Sequence, residues 1–314
     1  MSADVDVVIV TFNSREMTSA CVAELTDPRI ARVVVVDNGS TDGTGEALRE
    51  RFGDRVELIA LDPPAGFAAA CNAGARAGDA RLVLFLNSDI LTTPGAIGLL
   101  AEELDRDPAA VAAGGRLVDP DDLTTQALYR PRRFPGLAVL ATTLLGIEEL
   151  WPGNPVTQRH VGADLDESST HAVEQPAAAA LLVRRDVFEA VGGFDERFWF
   201  WYEDIDLLKR LNARGRVLWV PAAAFRHVGG ASFAKWDKVK RIRSMHHGIV
   251  HYGDAQLSRA GKLALGLLVL LVSIPRVVLF RRSRPDQAAA WRDVAAAGVA
   301  LVAGRRPGGL VGSA

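Results

Sequence analysis

Short β-branched runs alternate with amphipathic stretches over the first third of the chain. VDVVIV (5–10), VVVV (33–36), VELIAL (56–61) and RLVLFL (81–86) predict strands, and 14–25, 43–52 and 66–77 predict helices between them. Ser14 with Glu16 nearby, and Ser40 followed by Asp42, offer the side-chain oxygens that helix N-termini need. Strands separated by helices of this length predict parallel βαβ units, hence an α/β fold with a doubly wound, mostly parallel sheet. The stretch 119–176 is irregular and carries Pro and Arg. Beyond it AAAALLVRR (177–185) predicts a strand, 186–215 a helix, a loop and a second helix, and RVLWVP (216–221) a further strand ending near His227.

In doubly wound sheets, ligands bind beyond the carboxyl ends of the strands. Here those ends are polar: TFNS (11–14), DNGSTDGT (37–44), DPPAGFAAACNAG (62–74) and NSD (87–89). Asp37 can accept a hydrogen bond from the N3–H of a uracil or thymine ring, and it can also close an Asx-turn. No G-x-G-x-x-G follows the first strand, which disfavours a dinucleotide oxidoreductase, whose backbone must approach a pyrophosphate there. Asp89, preceded by Asn87 and Ser88, can hold a divalent cation that neutralises a diphosphate. His227 is either a core histidine or a metal ligand across from Asp89. Glu203-Asp204-x-Asp206 follows the aromatic run 198–202. Such acids either complement a helix N-terminus or supply a base beside a sugar stacked on Trp199, Trp201 and Tyr202.

Composition adds a charge split. The 314 residues are 49% hydrophobic and 24% charged, which excludes disorder, collagen and a disulfide scaffold. The net charge of −2 averages an acidic body, 22 Lys/Arg against 34 Asp/Glu over 1–234, and a basic segment, 11 against 2 over 235–284. The body is a poor partner for nucleic acid; the tail can meet phosphates or an anionic membrane surface. Cys21 and Cys71 lie in apolar stretches and read as buried thiols of a reducing cytoplasm. No signal peptide is visible before the first strand, so a cytoplasmic enzyme is expected. In the tail, 263–275 is nearly unbroken apolar sequence, shorter than the about 20 residues a spanning helix needs. Arg259, Lys262, Arg276, Arg281, Arg282 and Arg284 flank it, favouring an interfacial helix over a packed or spanning one.

The segments VDVVIVTFNS, VVVVDNGSTDGT, GFAAACNAG, VLFLNSDI, the 178–211 block around FDERFWFWYEDIDL, and VPAAAFRHVGGAS together resemble the inverting family 2 glycosyltransferases of GT-A fold, in that family's order over about 1–233. The resemblance implies a nucleotide-sugar-binding half (1–115), an acceptor-binding and catalytic half of the same domain (116–234), and a basic, apolar helical tail (235–314). It implies that Thr11, Asn13 and Asp37 hold the donor nucleoside with Asp42 nearby, and that Gly66 and Asn72 line the nucleotide or sugar-diphosphate pocket beside Asn87 and Ser88. Asp89 would ligate Mg²⁺ or Mn²⁺ with His227. Asp204 would be the general base and Glu203 its support or the acceptor's guide. Within the family, the layout is most similar to bacterial rhamnosyltransferases acting on polyprenyl-diphosphate-linked sugars. That implies transfer of rhamnose from dTDP-rhamnose to a lipid-linked or cell-wall glycan at the inner face of the cell membrane. Two family motifs are altered: Asn87-Ser88-Asp89 stands for D-x-D, and Pro64 and Ala68 replace the Asn and second Gly of N-x-G-F-G. The alternatives are a transferase for a soluble glycan or secondary metabolite using a UDP- or GDP-sugar, a nucleotidyltransferase, and a non-catalytic carbohydrate-binding relative.

Overall fold

A computed structural model describes residues 3–162, 166, 168–229 and 237–308. Lys235, at the head of the basic segment, and the GAS that ends the last family motif lie outside the described residues. Four apolar runs form β1 (Val5–Thr11), β2 (Ile30–Asp37), β3 (Glu57–Ala60) and β4 (Leu82–Asn87), connected through α1 (Arg15–Ala23), α2 (Thr44–Phe52) and α3 (Phe67–Arg76). β1 and β4 are buried along nearly their whole length, as strands covered on both faces require. Helix α3 lies close to β1 because residue 74 is glycine: a Cβ there would come within 2.4 Å of Val8 Cγ1.

The chain continues through β5 (Ile90–Thr92), α4 (Ala96–Arg106), β6 (Ala110–Val118), α5 (Leu137–Leu144), α6 (Ile147–Leu150), α7 (Pro155–His160) and β7 (His171–Ala172). Then follow β8 (Ala180–Arg184), α8 (Arg185–Ala190), α9 (Glu203–Asn212) and β9 (Arg216–His227). The sheet order is β3-β2-β1-β4-β8-β6-β9-β5, with β7 on β9. β3, β2, β1 and β4 are parallel, as the βαβ pattern requires, but β8 runs antiparallel to both β4 and β6. The reason is where the 119–176 excursion returns. Ala179 meets the end of β4, its carbonyl accepting from Asn87 N–H (2.9 Å), so the chain re-enters the sheet from the ligand side. β9 also outruns its expected end. The register on β6 shifts from Gly115–Val220 to Arg116–Ala224, an irregularity that accommodates Pro221 and lets the strand reach His227.

Two expected helix caps are absent. Ser14 makes no side-chain bond to α1, and the Ser40 hydroxyl instead accepts from Asn13 N–H (2.9 Å). Asp42 does serve the start of α2, accepting from Thr44 N–H at 3.1 Å.

The tail forms α10 (Lys238–Gln256), α11 (Arg259–Phe280) and α12 (Pro285–Val302), with Asp237 and Ser258 capping the first two. These helices do not stand apart from the body. Ile249, Val250 and Tyr252 of α10, Leu265 and Val269 of α11 and Trp291 of α12 share one core cluster with Leu140 and Phe198. Asp206 fastens α10 to α9, accepting from Gln256 Nε2 (2.6 Å) and from Arg210 Nε (2.8 Å).

Candidate active site

Register brings the polar strand ends together. Thr11 lies beside Asp37, Asp37 beside Ala60, and Val10 beside Asn87. The loops after β1 and β2 lock each other: Thr41 N–H donates to Asn13 Oδ1 (2.8 Å), and Asn13, at φ 48°, takes the left-handed turn that asparagine tolerates. Asp37 is buried, with Oδ1 accepting from Ser40 N–H (2.8 Å) as an Asx-turn.

Two expected donor contacts are placed elsewhere. The Thr18 hydroxyl donates to Ser14 O (2.8 Å), so it accepts from Thr11 at 2.7 Å, and the Thr11 hydroxyl is fully buried in that chain. Asn72 is likewise occupied. Its amide nitrogen donates to Phe194 O and Glu196 Oε1, and its oxygen accepts from Phe194 N–H, all at 2.9 Å. Asn72 therefore fixes the loop leading to the 198–206 block, and it lines a cavity there with Arg76, Gly193 and Glu196. Gly66 (φ +89°) is required by close approach, since a Cβ would sit 3.0 Å from Trp199 O, which also accepts from Phe67 N–H (2.8 Å). Trp199 is thus docked on the donor loop, while Tyr202 packs against Tyr252 of the tail (ring centroids 5.6 Å) and not into an open cleft. The tail touches the donor side too: Lys240 Nζ lies 5.3 Å from the centre of the Phe12 ring.

On the other side of β4, Ile90 pairs with His227, so the short β5 carries Asp89 to the histidine. Asp89 Oδ2 stands 3.5 Å from His227 Nε2. Gln126 sets the ring's tautomer. Its amide nitrogen donates to His227 O (2.8 Å), which leaves Oε1 to accept from His227 Nδ1 (2.8 Å). With Nδ1 so engaged, Nε2 faces the Asp89 carboxylate, where a divalent cation would find one nitrogen and one oxygen ligand. The Tyr129 ring meets His227 edge-on at 4.5 Å. Among the described residues no group of three or more Asp, Glu, His or Cys is placed to hold a metal ion, so a cation here would have two of these side chains as ligands and open positions for phosphate oxygens. Asn87 and Ser88 complete this strand end, Ser88 being buried.

Trp201 and Tyr202 both adopt left-handed backbone (φ 70° and 71°), at a cost of about 1–3 kcal/mol each. This double turn starts α9 with Glu203 and Asp204 in its first turn. Burial pushes the Glu203 carboxyl well above the usual carboxylate range, and the charge of Asp204 pushes it further. Its Oε2 is buried without a hydrogen-bond partner among the described residues. Burial also raises Asp204, but the Ile205 N–H (2.8 Å to Oδ1) and the charge of Arg132 oppose it. The upward push is stronger on Glu203 than on Asp204, so a proton shared by the pair favours Glu203. The charge of Arg132 acts on Tyr129, whose ring meets His227, as well as on Asp204. Gln126, Tyr129 and Arg132 all come from the irregular stretch and carried no signal in the sequence; Asp206, beside the acids, is structural.

Residues 6–159 match the model "Glycosyl transferase family 2", and 173–247 match "N-terminal domain of galactosyltransferase". The chain is 34% identical over 215 residues to the N-acetylglucosaminyl-diphospho-decaprenol L-rhamnosyltransferase of Mycobacterium tuberculosis, covering 65% of this chain and 68% of that protein. It is 31% identical over 228 residues to a validoxylamine A glucosyltransferase of Streptomyces hygroscopicus subsp. limoneus, covering 67% and 48%. Among solved structures, the mannosyltransferase PcManGT from Pyrobaculum calidifontis, in complex with GDP-Man and Mn²⁺, aligns over 96% of this chain and 88% of its own, with a TM-score of 0.53 and 16% identity. The chain is a glycosyltransferase of family 2 with a GT-A fold.

Proposed function

We propose that the chain transfers rhamnose from dTDP-rhamnose to a polyprenyl-diphosphate-linked sugar at the inner face of the cell membrane, with inversion at the anomeric carbon. The observation that carries the chemistry is the pair of adjacent acids at the strained start of α9, Glu203 with a buried, unpartnered Oε2 and Asp204 held through Oδ1 by Ile205 N–H. The choice of sugar and acceptor rests on the mycobacterial relative. The acceptor hydroxyl attacks the anomeric carbon from the face opposite the diphosphate. Asp204 takes the hydroxyl proton as the new C–O bond forms, and the electrons of the breaking C–O bond leave on the nucleoside diphosphate. Glu203, in its protonated form, can donate a hydrogen bond that orients the acceptor.

Asp89 and His227 Nε2 would hold the divalent cation, Mg²⁺ or Mn²⁺. When bound, it supplies positive charge to the leaving diphosphate. Asp37 retains Oδ2 for a pyrimidine N3–H, and Asn13 and Ser40 fix the loop around it. A second reading, transfer of a glucosyl group to a small soluble acceptor, draws on the Streptomyces relative.

Thermal shift against dTDP-, UDP- and GDP-sugars with and without Mn²⁺ or Mg²⁺ tests the donor. Stabilisation by dTDP-rhamnose with metal is expected, and stabilisation confined to GDP-sugars overturns the nucleoside assignment. Transfer to an N-acetylglucosaminyl-diphospho-lipid, against a soluble aminocyclitol, separates the two acceptors.

A further inference from the structure

Resting on the lipid-linked acceptor proposed above, we infer that α11 is an in-plane membrane anchor, its exposed aliphatic stripe docking on an anionic lipid bilayer while its opposite face stays packed on the protein. The helix has 22 residues and is long and apolar enough to cross a membrane. Its two faces, however, are different. Leu265, Gly266, Val269, Val272 and Ser273 are buried. Leu263, Leu267, Leu271, Ile274 and Val278 are 45–66% exposed. At 100° per residue these five fall within an arc of about 80°, a single stripe along the helix. Exposed Val299 and Val302 of α12 widen the patch beside Gly266. Apolar surface this continuous marks an interaction site.

The buried face holds α11 in place. A Cβ on Gly266 would lie 2.9 Å from Gly298 O, and one on Gly298 would lie 2.9 Å from Val269 Cγ1. α11 and α12 therefore touch backbone to backbone, and α11 cannot leave to span a bilayer without uncovering that contact. The charges fit a phospholipid surface. Arg259 stands at one end of the stripe and exposed Arg281, Arg282 and Arg284 at the other. Arg276, near the C-terminal end of the helix, is drawn to the protein side, donating to Val272 O (2.7 Å) with its guanidinium 4.9 Å from the centre of the Trp291 ring. It leaves the stripe unbroken. Aliphatic side chains at the acyl boundary with guanidinium groups among lipid phosphates is the chemistry of an interfacial helix on an anionic leaflet. Through α10, which holds Asp206 and packs on Tyr202, the anchor is tied to the helix carrying Asp204.

The test uses the full chain and vesicles of phosphatidylcholine alone or mixed equally with phosphatidylglycerol. The chain should sediment with the mixed vesicles, on the order of tenfold more than with phosphatidylcholine, and be released by alkaline carbonate. Leu267→Glu/Leu271→Glu should lower sedimentation on the order of tenfold while leaving circular dichroism and donor binding unchanged. Because Cys21 and Cys71 are buried, an environment-sensitive fluorophore on Leu271→Cys reports the stripe alone, and its emission should shift to the blue on mixed vesicles. Equal sedimentation of variant and parent, no fluorophore shift, or retention through carbonate would each overturn the in-plane anchor. So would a stripe buried in a dimer that binds no vesicle. Vesicle binding as expected but no transfer to any lipid-linked acceptor would remove the proposed acceptor and leave the docking surface standing. Transfer to a lipid-linked acceptor without vesicle binding would do the reverse.

Discussion

Glu203 and Asp204 are adjacent acids whose surroundings give them different work. Asp204→Asn should lower kcat by about 10²–10⁴-fold with donor affinity unchanged, because the acceptor proton then has no base. Glu203→Gln, replacing a carboxyl that burial pushes toward its neutral form, should cost far less; steady-state kinetics with donor binding measured separately compares the two. The pH dependence follows in sign. A base raised by burial is protonated, and so inactive, at a pH where an ordinary carboxylate is still charged. The acidic limb of kcat should therefore lie above the usual carboxylate range. Gln126→Leu removes the partner that fixes the His227 tautomer and should weaken Mn²⁺ binding by about 10–100-fold, read by metal titration without any substrate. Asp89, Asp204 and Asp37 stand out in the sequence because a carboxylate directly after an apolar strand or aromatic run has few structural uses. The bonds that occupy Thr11 and Asn72 were not legible, because a polar side chain near a strand end also has its neighbours' backbone and hydroxyls to satisfy, which spacing cannot reveal.

Elements obey the sequence pattern where the interaction is local and depart from it where the partner is remote. The βαβ succession of the first four strands follows directly from alternating apolar runs. The reversal at β8 depends on where the 119–176 excursion returns, and nothing within AAAALLVRR encodes direction. The same holds for 263–280: its apolar run is plain in the sequence, but only packing against α12 decides which side is covered. Gly266→Leu should force α11 from α12 and lower stability by about 1–3 kcal/mol in chemical denaturation, with nucleotide affinity preserved. A change in nucleotide affinity without a change in stability would contradict this separation of anchor and donor site.

For the whole molecule, the split between acidic body and basic tail survives as electrostatics but not as folding units. Phe198, next to the catalytic acids, shares its core with helices from the tail, and Asp206 bonds Gln256 across the same boundary. Deleting 237–314 should therefore leave a chain without a cooperative thermal transition by calorimetry; a truncated protein melting like the parent would show that the body stands alone. On the proposed function, the two acids, the Asp89–His227 pair and the α11 stripe then belong to one folded body, with the sugar donor held in the protein and the acceptor at its edge. The most direct test of the transfer chemistry is an NMR determination of the product's anomeric configuration. The protein would be incubated with dTDP-rhamnose, Mn²⁺ and an N-acetylglucosaminyl-diphospho-lipid, and Asp204→Asn run in parallel. Inverted product from the parent and none from the variant is the expected result. Retained configuration, or full turnover by Asp204→Asn, would contradict a single displacement with Asp204 as its base.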